Sequence, residues 1–251
     1  MLKTRIIPTL LLKNGGLVKG VNFKSHNYVG DPINAVKIFN EKEVDELIFL
    51  DISARVNGID YNLIQDVASE AFMPFAYGGG ITSVDQAIKI LRMGAEKIII
   101  GSAAYTDPTL ITKLSKIAGS QSVVVAVDVK KINFGGYEVR VESGTLRTKI
   151  NPVDYAKKME ELCAGELVLC SIDKEGTYKG YDLNLIKQVT QTLNIPVIAS
   201  GGANDLHDFS RAVTDAGASA VTAGNMFIYH GKHKAVLITY PETQKLLELF
   251  D

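Results

Sequence analysis

An internal repeat constrains the fold of this chain more than any other feature of its sequence. Two sets of residues match in order at a spacing of about 122 residues: Gly58, Asp60, Asn62, Leu63, Ile64 and Pro74 with Gly180, Asp182, Asn184, Leu185, Ile186 and Pro196. The same spacing carries Gly79-Gly80 onto Gly201-Gly202, and after one extra residue it carries Gly101 onto Gly224. Such self-similarity indicates repeated structural units, so the two halves are predicted to share one fold.

Short β-branched apolar runs alternate with longer amphipathic stretches along the whole chain. This order is typical of βα units around a parallel sheet. The predicted strands are Arg5–Leu11, Glu46–Asp51, Pro74–Tyr77, Lys97–Gly101, Ser122–Asp128, Glu166–Ser171, Pro196–Ser200 and Ala218–Ala223. The helical patterns include Asp31–Glu43, Val84–Met93 and Pro152–Leu162. Eight such units in 251 residues predict a single (β/α)8 TIM barrel.

The chain is predicted to be one domain, residues 1–251, made of half-barrels at about 1–121 and 122–251, because no Pro/Ser-rich linker divides it. One stretch departs from the alternation. Residues 130–149 place Phe134-Gly135-Gly136-Tyr137 between alternating apolar residues. This pattern predicts a small hairpin inserted after the fifth strand.

The composition is that of an ordinary globular protein, with 46% hydrophobic residues, 22% charged residues and a formal charge of -1. It predicts neither a basic nucleic-acid-binding surface nor a membrane span, since no apolar run approaches the roughly 20 residues that cross a bilayer. Cys163 and Cys170 lie in an apolar helix-to-strand region. We expect them to be reduced core residues, as in cytoplasmic proteins.

The repeated glycines fall where a barrel places its functional face, at the carboxyl ends of the strands. Gly78-Gly79-Gly80 and Gly101-Ser102 end the third and fourth predicted strands, and Gly201-Gly202 and Gly224-Asn225 end the seventh and eighth. Glycine turns that open helices hold phosphate through backbone N–H groups. The pattern therefore favours a ligand with a phosphate at each end, although tight βα turns alone would also require glycine.

The ordered motifs resemble one family, the cyclase subunit of imidazole glycerol phosphate synthase, over essentially the whole chain. They are Val18-Lys19-Gly20, Phe49-Leu50-Asp51, Gly78-Gly79-Gly80-Ile81, Ser171-Ile172-Asp173, Gly176-Thr177 and Ser200-Gly201-Gly202. The resemblance implies a phosphorylated small-molecule ligand and no cofactor. It assigns phosphate binding to Gly80, Gly101, Ser102, Gly176, Gly202, Gly224 and Asn225.

The resemblance also implies a partner. In the family a glutaminase subunit docks at the amino-terminal face of the barrel, and its ammonia passes through the barrel to the substrate. The family's gate is a ring of four charged residues, which fall here on Arg5, Glu46, Lys97 and Glu166. Each of the four opens a predicted strand, so they meet at the base of the barrel, where a purely structural ion-pair cluster is the alternative.

The family's acid–base pair is only half present. The family aspartate at the end of strand five matches Asp128, but the one at the end of strand one falls on Leu11, which has no titratable proton. Lys19 matches a family lysine near the substrate, on a long loop after strand one, and Glu175 stands where the family usually has aspartate. The predicted catalytic residues are therefore Asp128, Lys19 and Glu175, with ordinary cyclase chemistry in doubt.

With these departures the chain resembles a second cyclase-type paralogue found in bacterial surface-polysaccharide gene clusters. The stretches that carry this resemblance are Leu10-Leu11-Leu12-Lys13 after strand one, Tyr28-Val29-Gly30-Asp31-Pro32-Ile33-Asn34, and Tyr229-His230-Gly231-Lys232-His233-Lys234 near the end. That resemblance implies a barrel that passes glutaminase-derived ammonia to a separate amidotransferase, which converts an N-acetyl group of a nucleotide sugar into an acetamidino group. The first alternative is a genuine cyclase of histidine biosynthesis, and the second is a single-subunit sugar-phosphate isomerase.

Two further pairs of residues are candidates for binding roles. His230 and His233 have metal-like spacing but no nearby carboxylate or cysteine in the sequence, so we predict a solvent-facing pair and no metal. Asp51 and Asp173 end repeated strands. We expect Asp51 to brace the barrel mouth.

Overall fold

The computed structural model describes residues 4–250, except for the side chains of Phe134, Thr243 and Leu247. The predicted domain therefore extends beyond the described residues at 1–3 and 251. In chain order the strands are β1 Arg5–Lys13, β2 Gly16–Val21, β3 Lys24–Gly30, β4 Leu47–Asp51, β5 Phe75–Gly78, β6 Lys97–Ile100, β7 Val123–Lys131, β8 Tyr137–Val141, β9 Leu146–Arg147, β10 Glu166–Ser171, β11 Val197–Ser200, β12 Ala220–Ala223, β13 Tyr229–His230 and β14 Ala235–Val236.

Helices follow the barrel strands along the chain. In order they are α1 Pro32–Glu41, α2 Ala54–Asn57, α3 Tyr61–Glu70, α4 Val84–Arg92, α5 Ser102–Thr106, α6 Thr109–Ala118, α7 Pro152–Glu161, α8 Leu183–Thr190, α9 Leu206–Thr214, α10 Asn225–Ile228 and α11 Thr243–Leu247. Single 3₁₀ turns lie at Ser120–Ser122 and Asn133–Gly135.

Eight parallel strands close into a barrel. Strands β10, β11, β12, β1, β4, β5, β6 and β7 pair in that order, and β7 pairs back with β10. This confirms the predicted (β/α)8 TIM barrel. In a ring of eight, β1 and β7 are four strands apart and lie opposite each other.

The barrel interior is packed by one layer of apolar side chains, one from each strand. They are Ile7, Ile48, Ala76, Ile99, Val124, Val168, Ile198 and Ala220. A larger apolar core fills the space between the strands and the helices. Since successive side chains of a strand alternate between its two faces, residues two positions from this layer also point into the barrel.

The repeated residues form the same local structure in both halves. Asp60 caps α3 by accepting a 3.0 Å hydrogen bond from the Leu63 N–H, and Asp182 caps α8 by accepting one of 3.1 Å from the Leu185 N–H. An aspartate here satisfies an N–H that the first helical turn leaves unpaired. The sequence repeat is therefore also a repeat of helix starts.

All but the last of the predicted barrel strands start within one residue of the observed ones. The first and fifth run on to Lys13 and Lys131, past the predicted Leu11 and Asp128, and two further boundaries differ by two residues. The last barrel strand begins at Ala220, not Ala218, because the Ala218 N–H donates to the Ala212 carbonyl oxygen of the preceding helix at 3.0 Å. Helix α1 ends at Glu41, short of the predicted Glu43, whose φ of 52° is left-handed.

Antiparallel hairpins project from the mouth. Strand β7 runs past Asp128 to Lys131 and pairs antiparallel with β8, in the region of the predicted insertion. A second hairpin, β2–β3, follows β1, so the expectation that Lys19 lies on a loop is wrong. It was missed because its second strand, Lys24–Gly30, is mostly polar and exposed and has no apolar alternation.

One core prediction also fails. Cys170 is buried, but Cys163 is exposed. Cys163 has a φ of 70° and follows the end of α7, so its side chain points away from the sheet instead of entering it. Within residues 4–250, no helix combines the length and apolar character needed to span a bilayer.

Candidate functional site

Leu11 and Asp128 face each other across the mouth of the barrel. Leu11 lies four residues beyond Ile7 on β1, and Asp128 lies four beyond Val124 on β7, so both side chains point inward. Burial raises the pKa of Asp128 to about 7, and the nearby Glu175 carboxylate adds to the shift. The mouth therefore holds a carboxyl group that titrates near neutrality opposite an apolar side chain.

Glu175 interacts electrostatically with both Asp128 and Lys19. The Lys19 side chain is buried and its Nζ donates a 2.6 Å hydrogen bond to the Thr9 carbonyl oxygen. Burial lowers the pKa of Lys19 to about 8, although the charge of Glu175 opposes the shift. Burial likewise raises the pKa of Glu175, opposed by the Lys19 charge. The three predicted catalytic residues thus share one electrostatic environment.

The tip of the β2–β3 hairpin crosses to the loop after β10. The Asn22 N–H donates to the Glu175 carbonyl oxygen at 2.9 Å, and Asn22 Nδ2 donates to the Ile172 carbonyl oxygen at 2.8 Å. These contacts join a segment of the first half to a segment of the second. They bring Lys19, on β2, to the same side of the mouth as Glu175.

The second half contains a small cavity with glycine walls. Gly176, Gly202, Gly224 and Asn225 line it together with Glu175, Tyr178, Gly201, Ala203 and Ala223. Asn225 is 7% exposed, and its Oδ1 has no hydrogen-bond partner among the described residues. A side chain at Gly224 would clash with Lys19 Nζ. The cavity thus brings together the four predicted phosphate-binding residues of this half.

The first half is arranged differently. Gly80 has a φ of 69° and packs against Ala54, whereas the space beside Gly101 is open. The Ser102 Oγ accepts a 2.9 Å hydrogen bond from the Glu142 N–H of the β8–β9 turn. Asp51 Oδ1 accepts hydrogen bonds from the N–H groups of residues 53 and 54, so it braces the turn after β4.

The four charged residues at the base form a closed ring. Arg5 contacts Glu46 at 2.5 Å and Glu166 at 2.8 Å, and Lys97 contacts the same two carboxylates at 3.2 and 3.1 Å. Burial alone would lower the pKa of Arg5, but the charges of Glu166 and Glu46 raise it above its ordinary value. Each carboxylate is therefore held by two cations.

The interior changes from apolar to polar between this ring and the mouth. Above the ring lies the apolar layer, and two residues further along β1 and β12 the hydroxyls of Thr9 and Thr222 hydrogen-bond to each other. The sequence did not lead us to predict this pair. The signal in the sequence was that Thr9 and Thr222 each stand two residues after an inward-facing apolar residue, Ile7 and Ala220, and therefore point into the barrel as well.

Tyr178 is another cavity residue that was missed. It has a φ of 58°, and its ring lies 5.2 Å below the Nζ of Lys234. Tyrosine in a left-handed conformation is uncommon, and the sequence carries no marker of it. His230 and His233 are exposed, and residues 4–250 contain no group of His, Cys, Asp or Glu side chains arranged to hold a metal ion.

Fold and site define a (β/α)8 barrel with a glycine-walled cavity and titratable side chains at its mouth and a closed ring of charges at its base. The chain belongs to the histidine biosynthesis protein family, whose family model matches residues 5–234.

Curated relatives cover nearly the whole chain. A Pseudomonas aeruginosa protein provisionally named imidazole glycerol phosphate synthase subunit hisF2 is 49% identical over 98% of this chain and 99% of its own. A Leptospira interrogans protein, provisionally named as subunit HisF of the same synthase, is 48% identical over 100% of both chains. The Petrotoga mobilis subunit HisF is 44% identical over 91% of this chain and 92% of its own. The chain is thus a homologue of that synthase subunit.

Proposed function

We propose that this chain is the barrel subunit of a glutamine-dependent complex, receiving ammonia at its base and passing it to amidination of an N-acetyl group on a nucleotide sugar in surface-polysaccharide biosynthesis. The observation that carries the proposal is Leu11 opposite Asp128 in a barrel whose charged ring is closed and complete. The mouth has lost one acid–base group, while the base retains its four charges.

The base suits the entry of a small neutral molecule. Moving a charged group into an apolar interior costs far more than moving a neutral polar one, so the eight-residue apolar layer favours ammonia over ammonium. The ring holds its two cations and two carboxylates against each other with little exposure to solvent. Separating one ion pair opens the ring without leaving a charge unpaired.

The residues at the mouth are better suited to binding an anionic ligand than to catalysing ring closure. A general acid or base contributes typically 10²–10⁴-fold in rate, and leucine can supply neither function. Glu175 lines the second-half cavity, and Lys19 Nζ adjoins Gly224, which lines the same cavity. The intact features of the mouth are therefore those that hold an anionic ligand.

The partner is a glutaminase that docks on the face where the barrel strands begin, forming a heterodimer in the cytoplasm. The relatives are named as subunits of a synthase, which agrees with a multi-protein assembly. The exposed Phe72 lies on this face, two residues before Pro74, whose carbonyl oxygen accepts a 3.0 Å hydrogen bond from the Leu47 N–H beside Glu46. An exposed aromatic side chain beside the ring is suited to anchor a partner.

A genuine cyclase of histidine biosynthesis remains the second candidate, favoured by Asp128, whose pKa of about 7 suits acid–base catalysis near neutral pH. Purified protein given high ammonia and the family's ribonucleotide substrate separates the two candidates. We expect no imidazole product above background. Turnover at the rate of a true cyclase would refute the proposal.

Leu11→Asp tests the same point from the other side. If the mouth retains the remaining cyclase machinery, restoring the carboxylate raises imidazole formation by about 10²-fold or more, which would show that the pocket differs at this one position. No gain would mean that the pocket itself has changed. Leu12→Asp is unsuitable as a control because Leu12 is buried outside the barrel, so Leu11→Asn serves as the isosteric control.

A further inference from the structure

The second-half cavity is bordered by a hairpin with no counterpart in the first half. Strands β13 and β14 are joined by a turn that carries Lys232, His233 and Lys234, all exposed. The Lys234 N–H donates to the Gly231 carbonyl oxygen at 3.0 Å, which fixes the turn. The repeat spacing of about 122 residues places Val56 where the second half has Tyr178.

Lys234 and Lys19 place an ammonium group at two sides of this cavity. Lys19 Nζ is buried beside Gly224, and the exposed Lys234 has its Nζ over the ring of Tyr178, which also lines the cavity. No carboxylate forms an ion pair with Lys234 in the part of the chain that the structure describes. A ligand with a single phosphate group would contact only one of these two ammonium groups.

We propose that the cavity of Gly202 and Asn225 continues into a second anion subsite beneath Lys234, and that this end of the barrel binds a diphosphate-linked ligand. The inner phosphate contacts the glycine turns and Lys19. The outer phosphate takes the ammonium of Lys234, which leaves the ring of Tyr178. The exposed ammonium of Lys234 is held only weakly over the half-buried ring of Tyr178, whereas an ammonium–phosphate contact is a strong, charge-assisted hydrogen bond.

One further feature indicates that the cavity holds a ligand. The Asn225 Oδ1, in a side chain more than nine-tenths buried, has no hydrogen-bond partner among the described residues. An unsatisfied buried polar atom is costly and marks a place where a ligand or water completes the structure. Because an amide oxygen only accepts hydrogen bonds, this atom takes a ligand hydroxyl or a bridging water, and the phosphate oxygens contact the glycine N–H groups and Lys19. Burial also raises the pKa of Glu175, which lessens its repulsion of a bound anion.

Calorimetric titration of the full chain with inorganic phosphate and with pyrophosphate tests the subsite. We expect pyrophosphate to bind about tenfold more tightly than phosphate, because it gains one charge-assisted contact. Lys234→Met should lower pyrophosphate affinity about tenfold and change phosphate affinity less than about twofold. Lys234→Arg, which retains the charge, should keep the preference.

Lys89→Met is the matched control, because Lys89 Nζ also lies over a tyrosine ring, that of Tyr61 at 3.6 Å, in the first half. It should leave both affinities unchanged. An equal loss in the Lys89 and Lys234 variants, or no loss in the latter, would overturn the subsite. The inference rests on the phosphate cavity of the proposed function, but the outcomes differ: binding of neither anion refutes the cavity, whereas phosphate binding without pyrophosphate preference refutes only the subsite.

Discussion

The buried ammonium of Lys19 is bound to the backbone carbonyl oxygen of Thr9 at 2.6 Å, so a residue of the β2–β3 hairpin is fixed to the strand that carries Leu11. This contact is made at a cost, because burial lowers the pKa of Lys19 from 10.5 to about 8. A charged group that is buried away from water, with its pKa shifted as a result, is typical of a functional site.

We therefore predict that Lys19→Met stabilises the fold at pH 7 by on the order of 1–2 kcal/mol, the relief of desolvation less one lost hydrogen bond. Because the unfolded chain binds this proton more tightly than the folded protein, wild-type stability rises between pH 8 and 10.5, and the difference shrinks over that range. Urea unfolding of the wild type and the variant at pH 7 and pH 10 measures this difference in the free energy of unfolding. The same variant should bind inorganic phosphate more weakly, and tighter binding would contradict the assignment of Lys19 to the ligand site.

Asp128 gives the opposite pH dependence. Its pKa is raised from 3.8 to about 7, so the folded protein holds this proton more tightly than the unfolded chain. The associated stability is complete below about pH 4 and is lost as the pH rises through 7. We predict that Asp128→Asn stabilises the protein by on the order of 3 kcal/mol at pH 8 and by almost nothing at pH 4.

Asp173→Asn is the control for Asp128, since this exposed aspartate pairs with Lys130 at 3.1 Å. Its effect should stay within about 0.5 kcal/mol at both pH values. If Asp128→Asn changes the free energy of unfolding by the same amount at pH 4 and pH 8, the Asp128 carboxyl group is not buried as described.

Removing one carboxylate from the ring should destabilise the barrel. Glu46→Gln leaves Arg5 and Lys97 to share Glu166, and we predict a loss of about 2–4 kcal/mol in the free energy of unfolding. Asp215→Asn breaks the exposed pair of Arg211 and Asp215, whose side chains are each 60% exposed, and should cost less than about 0.5 kcal/mol. Equal losses in chemical denaturation would mean that the ring is no more than a surface cluster.

The base of the barrel should be the docking face for the glutaminase. Phe72 is 87% exposed there, and we predict that Phe72→Ala weakens binding of the partner about 10- to 100-fold by loss of an aromatic anchor. Val56, 84% exposed in the short helix α2 after β4 at the mouth, is the matched control. Val56→Ala should leave the affinity unchanged in calorimetry with the purified glutaminase, and the reverse result would place the partner at the mouth.

The fold was predictable because its signals are local and repeated. Runs such as Val123–Val127 are short, β-branched and bounded by turns, and the helix caps Asp60 and Asp182 recur at one spacing. The base of the site was predictable for the same reason, since its four charges begin strands whose ends must meet in a closed barrel. The resemblance supplied their role.

The mouth was harder because its residues are brought together by segments without periodicity. Lys19 was identified, but the strand that carries it was taken for a loop, since its partner strand is mostly polar. Tyr178 and Lys234 are 56 residues apart in sequence and meet through a turn and a short hairpin. Contacts of this kind depend on backbone geometry that no local pattern specifies.

The charged ring also bears on how the chain arose. Counted from the interior layer, Glu46 and Glu166 hold equivalent places in the two halves, two residues before Ile48 and Val168. The equivalents of Arg5 and Lys97 are Ser122 and Ala218, so both cations come from the first half alone. Two identical ancestral halves would have carried the same residues at equivalent positions, so neither half could have held both cations alone. The placement of both cations in the first half therefore dates from after the two halves had begun to diverge.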